Sequence, residues 1–152
     1  MLNEGDTIPA VTVTRADDTP LALTELPLPA VVYFYPRDDT PGCTREVQEF
    51  SALCDQFAAS DISVLGISKD TPAAHAKFAA KRSLSVMLGS DTNGSACAAF
   101  GVWGEKSLYG KTYMGIERAT FLFAADGSLA KVWRRVRVAG HAAAVLAAAR
   151  TL

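Results

Sequence analysis

Apolar and polar positions along the chain fall into two alternating kinds of pattern. VTVTR (11–15) alternates as a short strand does. AVVYFYP (30–36) is a continuous β-branched and aromatic run, which suits a strand buried on both faces. Residues 41–59 place Val47, Phe50, Cys54 and Phe57 at spacings of three and four, which predicts one helix. ISVLGIS (62–68) predicts a second buried strand. Over 71–82 a third pattern is helical, with Thr71 as N-cap and Pro72 in the first helical position. SVML (85–88) predicts a short strand and residues 91–100 a short helix. GVWGEKSLYGKTYMGIE (101–117), with its glycines and aromatics, reads as a long loop. RATFLFA (118–124) and SLAKVWRRV (128–136) flank Asp126-Gly127, a favoured hairpin turn, and residues 139–151 close the chain as a helix.

Strand–helix–strand units require a parallel central pair, and the hairpin adds antiparallel strands. The expected fold is therefore α/β, a mixed central sheet with helices on both faces. In such sheets, sites collect at the carboxyl ends of strands. The stretch PRDDTPGCT (36–44) lies there, between the first buried strand and the first helix.

Composition narrows the field. A chain of 152 residues that is 49% hydrophobic suits one domain, 1–152, around a single core. With 15 basic and 16 acidic residues, nothing favours nucleic acid as a partner. The N-terminal segment lacks the pattern of a signal peptide, and no apolar run is of membrane-spanning length. A cytoplasmic protein with no membrane partner is the expectation. Three widely spaced cysteines, Cys43, Cys54 and Cys97, do not form a secreted disulfide framework.

Cys43 stands out by position. Thr40 is a good N-cap, which puts Pro41 at N1, Gly42 at N2 and Cys43 at N3. First-turn N–H groups have no intrahelical partner, and the helix dipole adds partial positive charge. Such settings favour the thiolate, which is the nucleophile. Gly42 leaves room for a small substrate. The cap alone leaves two readings open, a reactive thiol and an inert buried cysteine.

Pro36, Thr40 and Cys43, in the spacing Pro-x-x-x-Thr-x-x-Cys, resemble the peroxiredoxin active-site motif. YFYPRDDTPGCTRE, GISKD (66–70), FGVWGEK (100–106) and GKTYMGIERATFLFAADG (110–127) are similar to the peroxiredoxin Q branch, also called bacterioferritin comigratory protein. The resemblance implies a thioredoxin-like fold and thiol-dependent reduction of hydrogen peroxide and organic hydroperoxides. It implies Cys43 as the peroxidatic cysteine, Thr40 as a hydrogen-bonding partner of thiolate and peroxide, and Arg118 as the arginine that holds both. Glu46 would orient Arg118, and Pro36 would shield the thiolate. The chemistry is consistent with this: sulfur attacks one oxygen, the other leaves with developing charge, and fixed donors stabilise it. No metal or organic cofactor is implied, because sulfur itself accepts the oxygen as sulfenic acid.

Many members of that branch carry a second cysteine five residues after the first; here the position holds Gln48. Cys54, eleven residues on, would lie about 16 Å along a helix from Cys43. A disulfide needs Cα atoms within about 7 Å. Cys97 accompanies Phe100 on an apolar segment. Core packing is the favoured reading for both, with resolution of the sulfenic acid as the alternative. A one-cysteine cycle is therefore expected, with an external thiol such as thioredoxin, glutaredoxin or glutathione as partner. The branch implies monomers or loose dimers.

His75 and His141 have no ligand partner at local spacing, so no metal site is expected. Asp38 and Asp39 read as turn acids, Arg134, Arg135 and Arg137 as a solvated face, and Trp103 and Tyr109 as packing residues, with a wall of the peroxide pocket or a partner surface as the alternative. A thiol–disulfide oxidoreductase would need a Cys-x-x-Cys pair, which is absent around Cys43. A scaffold that has lost activity would not need Thr40, Cys43 and Arg118 together.

Overall fold

The computed structural model describes residues 2–152. The elements run β1 (Thr12–Arg15), β2 (Pro20–Ala22), β3 (Ala30–Phe34), α1 (Pro41–Ala52), α2 (Cys54–Ala59), β4 (Ser63–Ser68), α3 (Pro72–Arg82), β5 (Met87–Ser90), α4 (Ser95–Phe100), β6 (Trp103–Leu108), β7 (Lys111–Ile116), β8 (Ala119–Phe123), β9 (Leu129–Arg134) and α5 (His141–Ala149). Seven strands form one sheet in the order β2-β1-β5-β4-β3-β8-β9. β3 pairs in parallel with β4 and antiparallel with β8, and β4 pairs in parallel with β5. The mixed sheet expected from the pattern is present.

All five residues of β3 are buried, as its unbroken apolar run requires. Alternate residues feed two cores. Val32 and Phe34 join Leu65, Phe121, Phe100 and Cys97 under α4 on one face. Val31, Tyr33 and Tyr35 join Cys43, Phe50, Phe57, Phe78 and Val145 on the other, beneath α1, α2, α3 and α5. Helices thus cover both faces. Beside Tyr33, Gly66 on β4 leaves the space the ring needs: a Cβ there would sit 2.6 Å from the Tyr33 Cζ.

Four local expectations need correction. The helix over 41–59 breaks at Leu53, whose φ of −99° and ψ of 2° leave the helical region. The apolar spacing continues across the break, so periodicity does not reveal it. The strand expected at 85–88 runs Met87–Ser90. It includes Gly89, where a Cβ would lie 2.7 Å from the Val13 Cγ2, so the glycine admits β1 closely rather than ending the strand. Residues 101–117 are not a loop but the hairpin β6–β7, turned by Tyr109 and Gly110 at φ of 51° and 76°. The ribbon is exposed along most of its length, so it lacks the alternation that marks a half-buried strand. The pattern also predicts no strand at Pro20–Ala22, where the short edge strand β2 pairs with β1.

Candidate active site

β3 delivers the chain at Tyr35 and Pro36, and the PRDDT turn reverses it into α1. Thr40 takes the extended conformation of an N-cap, with φ −93° and ψ 153°. Its carbonyl accepts the Thr44 N–H at 2.8 Å, so the N–H groups of Gly42 and Cys43 lie ahead of the first helical bond. The Thr40 hydroxyl does not cap the helix. It donates to the Arg37 carbonyl at 3.0 Å, which ties the turn to itself. To donate to sulfur or peroxide, as the resemblance implies, that hydroxyl has to leave Arg37.

Cys43 is buried, with 1% of its surface exposed. Arg118, between β7 and β8, brings its Nη2 to 3.3 Å from the Cys43 Sγ. Its Nη1 donates to the Glu46 Oε1 at 2.7 Å. Glu46 sits on α1 three residues after Cys43, so both face the same guanidinium. Three of the residues named from the sequence therefore form one contact group. Gly42 flanks it: a Cβ there would lie 3.4 Å from the Arg118 Nη2. Arg118 also borders a cavity of about 440 Å³ lined with Lys106, Glu117 and Arg135. Pro36 lines a second, of about 400 Å³, with Trp103, Tyr113 and Met114.

Burial dominates the electrostatics. It pushes the Glu46 carboxyl up to about 7 even though Arg118 pulls it down. Burial works to lower the Arg118 pKa, but the charges of Glu46 and Cys43 outweigh it and the net shift is upward. The Glu46 Oε2 is buried with no hydrogen-bond partner among the described residues.

The other two cysteines stand apart from this group. Cys97 belongs to the core on the opposite face of the sheet from Cys43. Burial, with the hydrogen bond and charge of Asp91, holds its thiol far above the ordinary range. Cys54 opens α2, beyond the break at Leu53. Burial, then the Asp55 charge, raises its pKa. Gln48 is exposed.

The two histidines and Asp38 differ from the sequence expectation, because their partners are remote in sequence. Asp38 turns inward: its Oδ2 lies 2.6 Å from the His75 Nδ1, and its Oδ1 accepts from the Tyr35 hydroxyl at 2.5 Å. The His75 Nε2 faces the Gly89 carbonyl at 3.1 Å. Both ring nitrogens therefore lie within hydrogen-bond reach of oxygen atoms. Asp70 completes the cluster, accepting from the Asp38 N–H at 2.8 Å and the Ser68 hydroxyl at 2.6 Å. Asp38, Asp70 and His75 are grouped closely enough to ligate a metal. Their near atoms are already committed to one another, so the group is better described as a clamp on the turn. Asp39, by contrast, is a surface acid paired with Lys81 at 2.7 Å and Arg82 at 2.9 Å. His141 is buried against the Thr120 hydroxyl, with Nε2 2.8 Å away. Tyr109 is exposed rather than packed, whereas Trp103, partly exposed, carries the Lys69 Nζ 4.3 Å from its ring centroid and walls the cavity beside Pro36.

A model of the AhpC/TSA family matches residues 5–132. The chain is 48% identical over 118 residues to a peroxiredoxin Bcp of Xanthomonas campestris pv. campestris, covering 78% of this chain and 74% of that protein. A structure of the X. campestris bacterioferritin comigratory protein, studied for alkyl peroxide reduction, aligns with a TM-score of 0.88 at 40% identity over 96% of this chain and 98% of that one. A Xylella fastidiosa PrxQ mutant aligns with a TM-score of 0.93 at 36% identity over 99% and 97%. These neighbours share the thioredoxin-like fold. Matched across most of its length, with cysteine, arginine and glutamate already in contact, the chain belongs to the AhpC/TSA family as a thiol peroxidase of the peroxiredoxin Bcp, or Q, branch.

Proposed function

We propose that this peroxidase works through Cys43 in a one-cysteine cycle, carried by a single domain, 1–152. The observation that carries the site is the Arg118 guanidinium, with one nitrogen 3.3 Å from the Cys43 sulfur and another 2.7 Å from Glu46. An arginine keeps its charge at any ordinary pH, and its planar fork serves two partners at once. In the reaction the Cys43 thiolate attacks one peroxide oxygen and the O–O bond breaks. The departing oxygen gathers negative charge beside Arg118 and the first-turn N–H groups of Gly42 and Cys43. Thr40 turns from Arg37 to the substrate. Pro36 and Gly42 shape the approach, and Glu46 holds the arginine.

The relative studied for alkyl peroxide reduction supports organic hydroperoxides as substrates alongside hydrogen peroxide. The second half of the cycle falls to an external thiol: thioredoxin, glutaredoxin or glutathione. Exposed Gln48, Cys97 across the sheet and Cys54 beyond the helix break support that reading. A monomer or loose homodimer in the cytoplasm fits it. Among the described residues no helix is long and apolar enough to cross a membrane.

The test is to treat reduced protein with one equivalent of peroxide and map its sulfur by mass spectrometry. We expect Cys43 to be trapped as sulfenic acid, with Cys54 and Cys97 still thiols. A stoichiometric Cys43–Cys54 or Cys43–Cys97 disulfide would overturn the one-cysteine cycle.

A further inference from the structure

The site contains one cation and two acids that compete for it. Arg118 gives Nη1 to Glu46 and Nη2 to Cys43. Cys43 and Glu46 are each only 1% exposed, and the Arg118 side chain is 17% exposed. If both acids ionised, a largely buried group of three side chains would carry net negative charge, which burial penalises heavily. An ionised carboxylate also calls for donors on both oxygens. Glu46 has one for Oε1, while Oε2 is buried with no donor among the described residues.

Among the described residues, the surrounding groups supply no second cation to Glu46. On its own helix, Glu49 adds negative charge and is itself paired with Arg45 at 2.9 Å. From β3, the Tyr33 hydroxyl is buried with no partner among the described residues, and burial raises its pKa well above the ordinary value. From α5, His141 is kept neutral, chiefly by burial. The upward shift of the Glu46 carboxyl agrees with this arrangement.

We propose that Glu46 is the proton store of the site, protonated while Cys43 is a thiolate and releasing that proton as the sulfur's charge passes to the departing oxygen. The inference rests on Cys43 being the peroxidatic thiol. Sulfur forms its bond to the terminal oxygen of the hydroperoxide as the O–O bond breaks. Sulfur is oxidised to sulfenic acid, which keeps the hydroperoxide's own hydrogen. The departing alkoxide, or hydroxide for hydrogen peroxide, gains one proton and leaves as alcohol or water. Glu46 loses that one proton. Arg118 lies between the two sites, with Nη1 towards Glu46 and Nη2 towards the reacting atoms. The neutral sulfenic acid then leaves the guanidinium paired with the Glu46 carboxylate alone. Reduction reverses the change. One thiol displaces water and forms a mixed disulfide. A second thiol releases the Cys43 thiolate, and its proton returns to Glu46.

A proton count tests this directly. Reduced protein is mixed with one equivalent of hydrogen peroxide near pH 6 in weak buffer with a pH indicator, while loss of the Cys43 thiol is followed in parallel. Wild type should take up well under half a proton from solvent per thiol lost. Glu46→Gln cannot release a proton and should take up about one. A full proton taken up by wild type, or none by Glu46→Gln, overturns the store. If Glu46→Gln does not fold, the wild-type infrared difference spectrum decides. Loss of a protonated-carboxyl band on oxidation is expected, and its absence refutes the inference. Failure of the Cys43 thiol to be lost would refute the peroxidase assignment instead, so the two failures are distinct.

Discussion

Replacing Asp38 by asparagine removes the charge at the centre of the clamp but keeps its shape. Asp38 is the acceptor for two buried donors, the Tyr35 hydroxyl and the His75 Nδ1. The His75 side chain is 0% exposed and that of Asp38 6%. An asparagine oxygen can still accept from one donor. Its amide nitrogen then faces the other, which leaves a buried polar group without its acceptor. Leaving a buried polar group unpaired costs about 1–3 kcal/mol. Against a total stability of about 5–15 kcal/mol, that is a large share. With a urea slope of about 2 kcal/mol per molar, the unfolding midpoint should fall by roughly 1 M at unchanged slope. The cost is local, so amide exchange should accelerate most through residues 36–44, the segment that carries Pro36, Thr40 and Cys43. His75→Gln added to Asp38→Asn removes both partners of the contact, and the pair should cost less than the sum of the singles by about 1–3 kcal/mol. A loss under about 1 kcal/mol for Asp38→Asn, or strict additivity in the double variant, would refute the clamp.

Two further perturbations probe the site and its support. Arg118→Lys keeps the charge but cannot hold Glu46 and Cys43 through two separate nitrogens, so stopped-flow peroxide reduction should slow by about 10²–10³-fold; an undiminished rate would show that the fork is not what matters. Burial lowers the His141 pKa from 6.5 to about 4, so the unfolded chain takes up a proton there before the folded one does. Its contribution to stability is complete above pH 6.5 and is lost as pH falls towards 4, amounting to about 3 kcal/mol. Glu46 acts with the opposite sign: its raised pKa adds stability that is complete below 4.5 and is lost as pH rises through about 7. The two partly cancel, so His141 is read as the difference between wild type and His141→Gln in urea unfolding at pH 4.5 and 7.5. Equal pH dependence in both would refute it.

What could be read from the sequence divides by distance along the chain. Cys43 at N3 of a helix follows from Thr40 and Pro41 next to it, and Glu46 shares its face because three residues make most of a helical turn. Arg118 stands 75 residues from Cys43, and no local pattern points to it; only the resemblance put the two together. The clamp shows what happens where neither source speaks. Asp38 beside Asp39 looks like one of two equivalent turn acids, yet one binds a buried histidine 37 residues away and the other a surface lysine and arginine. The difference arises from the fold. The parallel pairing of β3 with β4 sets Tyr35 and Ser68 at adjoining strand ends, and Ser68 orients Asp70. Asp70 in turn holds the Asp38 backbone, and α3 brings His75 underneath. Each link is an ordinary hydrogen bond, but the partner of each is chosen by sheet register rather than by sequence spacing. The same register supports the chemistry. β8 pairs antiparallel with β3, which brings Ala119 opposite Phe34 and so carries Arg118 to the end of β3, where the turn into α1 begins. A one-residue slip between β3 and β8 would turn buried side chains of β8 towards the wrong face. It would also move the guanidinium away from sulfur. The pairing that buries the core therefore also fixes the distance between Arg118 and Cys43.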